Sequence, residues 1–408
     1  RHMAIKKKTF SMEDIKGKYS TKTKYKETAY YFCGEAFLNA SGLPGPVMGG
    51  INMFLGHSDT GKTTALLEAA VNAQKMGVLP VFIISEMKWS WEHAREMGLE
   101  FEEVKDENGV VTDYEGFFLY ADRGTLNTIE EVAVHMADLI DEQTKGNLPY
   151  DMCFFWDSIG SIPCDLSVRS NKNNNEWNAG AMSTQFGNNV NQKITLSRKE
   201  SSPYTNTLVC VNKIWTAKAE VPMGQPKLMN KGGFAMWFDA TFVVTFGNIA
   251  NAGTSKIKAI KDGKQVEFAK RTNLQIDKNH INGITTRGRI IMTPHGFILD
   301  DEKALKNYKE EHKEAWKKIL GGGDFRVVEE GQAFKRLIDE FGFSFDQVAH
   351  AVGKDRSTIS NLIRLLKLPE DIQKSVLSDE ISMGHARALL AVENSAEQKE
   401  IFLRVIEK

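Results

Sequence analysis

Gly56-His57-Ser58-Asp59-Thr60-Gly61-Lys62-Thr63 follows the apolar run Ile51 to Leu55 and opens a helical stretch beginning at Thr63. Strand, glycine-bracketed loop and helix, in that order, are what a phosphate cradle requires. The glycines let backbone N–H groups close on phosphate oxygens at a helix N-terminus, where the helix dipole favours negative charge. Lys62 places a cation on the outer phosphates, and Thr63, with Thr64 beside it, offers a hydroxyl to Mg²⁺. The whole segment, His57, Ser58, Asp59 and Thr60 included, is expected to hold a nucleotide.

Outward from this loop, short β-branched or aromatic runs alternate with helical stretches between about Gly50 and Phe246: Ile51 to Leu55, Val81 to Ile84, Met152 to Trp156, Leu208 to Val211 and Phe242 to Phe246. Such alternation predicts an α/β fold with a mostly parallel central sheet covered by helices. Asp157 closes one of these strands, where a carboxylate is needed beside the metal. Glu86 follows another at the same sheet edge and is the candidate to orient or deprotonate water. Two polar stretches, Ser167 to Asn191 and Ile214 to Gly233, read as long mobile loops.

The chain has 408 residues, 41% hydrophobic and 26% charged, enough for two or three domains with buried cores and too apolar for a disordered chain. Lys plus Arg number 52 against 53 Asp plus Glu, so overall charge neither demands nor excludes nucleic acid. Locally, the first 30 residues carry nine Lys/Arg and three acids, a basic arm or a solvated tail. Arg1-His2-Met3-Ala4 lacks the apolar core of a signal peptide and reads as a tag scar, and no apolar run approaches a membrane span. Cys33, Cys153, Cys164 and Cys210 show no C-x-x-C spacing, which fits a reduced, cytoplasmic setting with no membrane partner. The expected division is an arm over 1–30, an ATPase core over 31–300, a charged helix and glycine linker over 301–323, and a helical domain over 324–408.

Ala36-Phe37-Leu38-Asn39-Ala40-Ser41-Gly42-Leu43-Pro44, Gly49-Gly50, the phosphate loop, Ile84-Ser85-Glu86 and Arg95-x-Met97-Gly98-Leu99 together resemble the RecA-type recombinase core, in particular its phage UvsX branch, over about residues 30–300. The resemblance implies ATP and Mg²⁺ as cofactors, Glu86 as catalytic base, and His93 at the position that stacks on adenine, with Ser90 in place of an acid. It puts Lys213, in Val211-Asn212-Lys213, where the family carries a glutamine that senses the outer phosphate. A lysine there would act as a point charge rather than an amide switch. Lys278 and His280, in Leu274 to His280, match cationic positions that reach a neighbouring protomer's phosphate, which implies a homo-oligomeric filament. About Val168 to Ala179 and Ile214 to Gly233 match two DNA-binding loops. Arg169, Lys172, Lys218, Lys227 and Lys231 would meet phosphates of single-stranded DNA there, and Trp177 and Trp215 its bases.

Phe345 to Leu362 meets the requirements of a helix-turn-helix from its residues alone. Ala349 is small where two helices cross, Gly353 suits the turn, and Ile359 with Leu362 bury the second helix, about Ser357 to Leu366. Arg356, Ser357, Thr358, Ser360, Asn361 and Arg364 would then face a duplex groove. Gly353 to Asn361, Leu365 to Pro369 and Ser382 to Leu390 resemble the central DNA-binding domain of ParB chromosome-partition proteins, without that family's nucleotide box or C-terminal dimerisation domain. This region carries twelve Lys/Arg and fifteen Asp/Glu, so duplex contact must come from a local basic face. Two partial resemblances joined at Gly321-Gly322-Gly323 imply an engineered fusion.

The expected activity is a DNA-dependent ATPase that forms ATP-bound filaments on single-stranded DNA for homologous pairing and strand exchange, with an appended duplex-binding module. A ring-shaped helicase or motor and a sequence-specific DNA-binding adaptor with a regulatory ATP site are the alternatives.

Overall fold

Residues that alternate between two apolar faces build the centre of the computed structural model, which describes residues 11–86, 88–217, 227–230, 235–248, 252–261, 264–312, 334–335, 337–339, 342–352, 355–377, 380–392 and 394–406. The strands are β1 (Ile51–Gly56), β2 (Leu79–Ile84), β3 (Glu102–Lys105), β4 (Val111–Glu115), β5 (Leu119–Asp122), β6 (Met152–Asp157), β7 (Asn206–Ala217), β8 (Lys227–Asn230), β9 (Phe242–Phe246), β10 (Ser255–Lys261), β11 (Lys264–Asn279), β12 (Arg287–Thr293) and β13 (Gly296–Leu299). The main sheet runs β13-β12-β11-β9-β1-β7-β6-β2-β5, parallel from β9 to β5 and antiparallel from β9 back to β13. The chain divides into two compact units, residues 1–257 with 269–305 and residues 258–268 with 306–408.

The parallel strands β1, β2, β6 and β9 are buried along their whole length, as a run such as Met152–Asp157 requires, whereas the edge strand β5 is only partly covered. Ile51, Met53 and Leu55 point to one face with Phe154, Trp156 and Cys210, against the helices Ile129–Thr144 and Asn191–Leu196. Phe54, Phe82, Phe155 and Val209 point to the other, against the helix Lys62–Lys75. All four cysteines are free and buried, so they serve as small apolar residues. Among the described residues no helix is long and apolar enough to cross a membrane.

Ser167 to Asn191 is mostly helical, broken by a short turn over 170–174, and not a long loop, which corrects the reading from its polarity. It holds the end of the helix Asp165–Arg169, the helix Asn175–Met182 and a π-helical turn, Ser183–Val190. Some of its asparagines take defined bonds: Asn174 Oδ1 accepts the Glu176 N–H at 2.8 Å as an N-cap, and buried Asn178 accepts the Cys164 N–H at 2.9 Å. Met182, Phe186, Val190 and Ile194 recur at helical spacing and close one face of the core. Ile214 to Gly233 is likewise not an open loop throughout, since β7 continues to Ala217 and pairs with β8 in an antiparallel ladder from Ile214↔Asn230 to Ala217↔Lys227.

Glu68, on the helix Lys62–Lys75, accepts the Phe297 N–H at 2.7 Å through Oε1. Its Oε2 is buried with no partner among the described residues, and burial pushes the carboxyl up to about 8. The unfolded chain releases this proton near the ordinary carboxylate value, whereas the folded chain keeps it until about pH 8. Stability therefore falls as pH rises between these limits, by up to about 1.4 kcal/mol per pH unit, and levels above them. Urea midpoints at pH 5, 6.5 and 8 should show that decline in the wild type and a flatter profile in Glu68→Gln. Equal slopes in the two proteins would remove Glu68 as its source.

Candidate functional site

β1 ends at Gly56, where a Cβ would stand 2.4 Å from the Phe246 carbonyl oxygen, so only glycine lets the chain turn there. Gly61 takes φ +109° as it enters the helix Lys62–Lys75, with a Cβ position 3.1 Å from the Phe297 ring. Between them Thr60 is buried and its hydroxyl donates to the His57 carbonyl at 2.9 Å, closing the loop on itself. Ser58, Asp59, Lys62, Thr63, Glu86, Asp157 and Lys213 line one cavity at this point, and Thr64 is buried in the helix behind it.

Strand register explains the convergence. Ile84 lies opposite Asp157, Asp157 opposite Val211, and Gly56 opposite Lys213, so β1, β2 and β6 end, and β7 passes, at one edge of the parallel sheet. The Thr63 hydroxyl donates to Asp157 Oδ2 at 2.7 Å. Burial pushes the Asp157 carboxyl above the usual range despite that bond. Lys62 donates to the His57 carbonyl, and burial lowers its ammonium to about 8 against the opposing pull of Asp157. Glu86 Oε1 receives Lys213 Nζ at 2.8 Å, Ser158 Oγ at 2.8 Å and Ser161 Oγ at 3.1 Å. Burial pushes the Glu86 carboxyl up, but these bonds outweigh it and hold it below its ordinary value.

A loop that leaves no room for side chains at Gly56 and Gly61, with a buried ammonium beside it and a hydroxyl–carboxylate pair at its floor, fits a nucleotide polyphosphate with Mg²⁺. Backbone amides of 57–63 and Lys62 would hold the phosphates, and Thr63 with Asp157 the metal, which would neutralise charge on the outer phosphates.

Other expected site residues lie elsewhere. His93 sits half-buried on the short helix Trp91–Glu96 and does not line this cavity, while Ser90 is that helix's N-cap, accepting the His93 N–H at 3.1 Å. Trp89 and Lys88 line the cavity instead. Lys278 and His280 fall at the opposite edge of the sheet, since Lys278 pairs with Val243 and Asn279 with Phe242. Lys278 Nζ donates to the Trp237 and Phe238 carbonyls at 2.8 and 2.7 Å, and burial lowers its ammonium. His280 is exposed. Neither lines the cavity beside Lys62 in its own chain. Ser158, Ser161 and Trp89 were missed by sequence reasoning; a hydroxyl following a strand-end aspartate was the available hint.

Among the expected DNA-binding positions, Arg169 and Lys172 are exposed around the turn between the helices Asp165–Arg169 and Asn175–Met182, with Arg169 4.0 Å from Asp165. Trp177 is half-buried and packs against the core, so its ring is a packing element more than a free platform. Trp215 and Lys227 fall on β7 and β8 at their paired ends, with side chains outside the described residues, and Lys218 and Lys231 lie wholly outside them.

In the second unit, the helices Phe345–Val352 and Arg356–Leu365 pack with Glu370–Leu377, Met383–Leu389 and Ser395–Ile406 around Val348, Ala349, Ile359, Leu362, Leu365, Ile372 and Leu389. Ile359, Leu362 and Leu365 recur at helical spacing, which leaves Arg356, Ser357 and Arg364 exposed and Thr358, Ser360 and Asn361 half-buried. Arg356 stands 3.4 Å from Asp346. The second helix begins one residue earlier than expected, and Gly353 lies outside the described residues.

The family model described as the ParB HTH domain matches residues 323–408. The chromosome-partitioning protein ParB of Myxococcus xanthus is 45% identical over 89 residues, 22% of this chain and 30% of that protein. ParB proteins of Neisseria meningitidis serogroup A and Vibrio cholerae are 54% identical over 65 residues and 42% over 85, covering 16% and 21% of this chain and 23% and 29% of theirs. The chain thus spans less than a third of the length of these relatives. With a buried helix pair of the right spacing at its centre, the segment 323–408 is a ParB-like helix-turn-helix DNA-binding domain.

Proposed function

We propose that the chain is a DNA-dependent ATPase of the RecA type that assembles on single-stranded DNA and promotes homologous pairing and strand exchange, joined to a ParB-like module that binds duplex DNA. The observation that carries the ATPase reading is the single cavity in which Lys62, the Thr63–Asp157 pair and Glu86 meet at the ends of β1, β2 and β6. A buried cation serves the phosphates, the hydroxyl–carboxylate pair serves Mg²⁺, and Glu86 serves the attacking water. Lys278 and His280 lie away from this cavity, and in this reading they serve a neighbouring copy's nucleotide, Lys278 exchanging the Trp237 and Phe238 carbonyls for phosphate, in an assembly with ATP between subunits. Arg169 and Lys172 are the exposed cations offered to single-stranded DNA. Arg356, Ser357, Thr358, Ser360, Asn361 and Arg364 form the face offered to a duplex, and joining both modules in one chain raises the local DNA concentration for the core. Two family likenesses of partial extent in one chain support a fusion.

ATP hydrolysis with and without single-stranded DNA at two salt concentrations tests this reading. Strong stimulation that falls with added salt is expected, because neutralised phosphates release counterions. Hydrolysis indifferent to DNA, with duplex binding intact, would leave an adaptor whose ATP site only regulates it. Rings in place of helical filaments in electron micrographs of the ATP complex would favour a motor.

A further inference from the structure

Glu86 and Lys213 are each needed in the phosphate cavity, yet the structure has them bound to each other. Lys213 Nζ lies 2.8 Å from Glu86 Oε1, the same oxygen that receives Ser158 and Ser161. Ser158 and Ser161 also lie 2.6 Å from each other, so they share their protons between themselves and Glu86, and with the Lys213 ammonium they offset the carboxylate's charge and make it a poor acceptor of a proton from water. The serines are fixed by neighbouring backbone, as Ser161 N–H donates to the Ser158 carbonyl at 3.1 Å. Lys213 is different: its side chain is 38% exposed, against 16% for Glu86, and carries its charge on a flexible stem at the cavity wall. An incoming terminal phosphate would compete with Glu86 for that ammonium, and it brings more charge than one carboxylate.

We infer that Lys213 discriminates triphosphate from diphosphate by exchanging partners: it holds Glu86 when the outermost phosphate position is vacant and leaves Glu86 for that phosphate when a triphosphate binds. Lys213 is thus a positioning residue for Glu86 and a specificity residue for the nucleotide. The inference rests on the ATPase reading above. It goes further by giving the lysine a resting partner and by predicting a coupling that a fixed phosphate contact would not produce. With diphosphate, the pair is intact before and after binding. With triphosphate, one ion pair is given up for another.

The test is a thermodynamic cycle on the full chain, using Mg²⁺ with ADP or with a slowly hydrolysed thiotriphosphate analogue of ATP, read by calorimetry. ADP affinity should change by no more than about threefold in Lys213→Met, whereas the triphosphate analogue should weaken by roughly tenfold, the scale of one charge-assisted bond. Glu86→Gln should tighten the analogue by roughly tenfold relative to ADP, because no ion pair has to be broken. That gain should vanish when Lys213→Met is added and survive when Lys213→Arg is used. The inference is overturned if Glu86→Gln leaves the triphosphate-to-diphosphate ratio unchanged, or if its gain persists without a cation at 213. Binding of both nucleotides without this coupling would sink the exchange alone; binding of neither by the wild type would sink the ATPase reading with it.

Discussion

Lys62→Ala should lose ATP hydrolysis by at least about 100-fold, the scale of removing one preorganised donor from developing transition-state charge. Lys62 is buried at the mouth of the helix Lys62–Lys75, in the cavity shared with Asp157, Glu86 and Lys213. Burial has already lowered its ammonium to about 8, so this cation is held in a poorly solvated place where a phosphate would be its natural partner. Alanine removes the charge and leaves buried Asp157 with less compensation, so nucleotide binding should weaken along with turnover. A steady-state phosphate-release assay, with a melting curve to show that the variant is folded, checks this. Hydrolysis within about threefold of wild type would take Lys62 out of the mechanism.

Ile359→Ala should unfold or severely loosen the helix-turn-helix while sparing the cavity proposed for nucleotide. Ile359 is fully buried among Val348, Ala349, Leu362 and Leu365, and truncating such a side chain costs about 2–5 kcal/mol. A single small core has little stability beyond that amount. Duplex binding by fluorescence anisotropy should therefore fall by more than about tenfold, with ATP hydrolysis by the same preparation unchanged. A variant that keeps full duplex affinity would show that the helix pair is not the DNA-binding element. Loss of both activities would show that the two units depend on one another.

Much of the fold was legible because its signals are local. Ile51 to Leu55, Val81 to Ile84, Met152 to Trp156 and Phe242 to Phe246 are runs whose apolar density leaves little but a covered strand, and each falls within an observed one. Ile359, Leu362 and Leu365 marked the buried side of the second helix by their spacing alone. The reading failed where polarity was taken for irregularity. Ser167 to Asn191 is rich in asparagine, but Asn174 caps a helix and Asn178 bridges two segments, while Phe186 and Val190 carry the burial. Propensity alone misses such residues, because a satisfied amide inside a fold resembles a loop amide in a sequence.

What the sequence by itself determined is the glycine-bracketed loop between strand and helix, the strand-ending carboxylate Asp157, the alternating apolar runs and the helix-turn-helix, since each is written in neighbouring residues. What only the tertiary structure decided is who meets whom. Ser158 reaches Glu86 across 72 residues and Thr63 reaches Asp157 across 94, and Lys213 closes on Glu86 because β1, β7, β6 and β2 lie side by side in that order. Lys278 and His280, candidates for the phosphates on paper, go to the far edge because β11 runs antiparallel to β9. Spacing along a chain carries no information about strand order, and strand order, set by how the helices cover both faces of the sheet, decides which charges share a cavity.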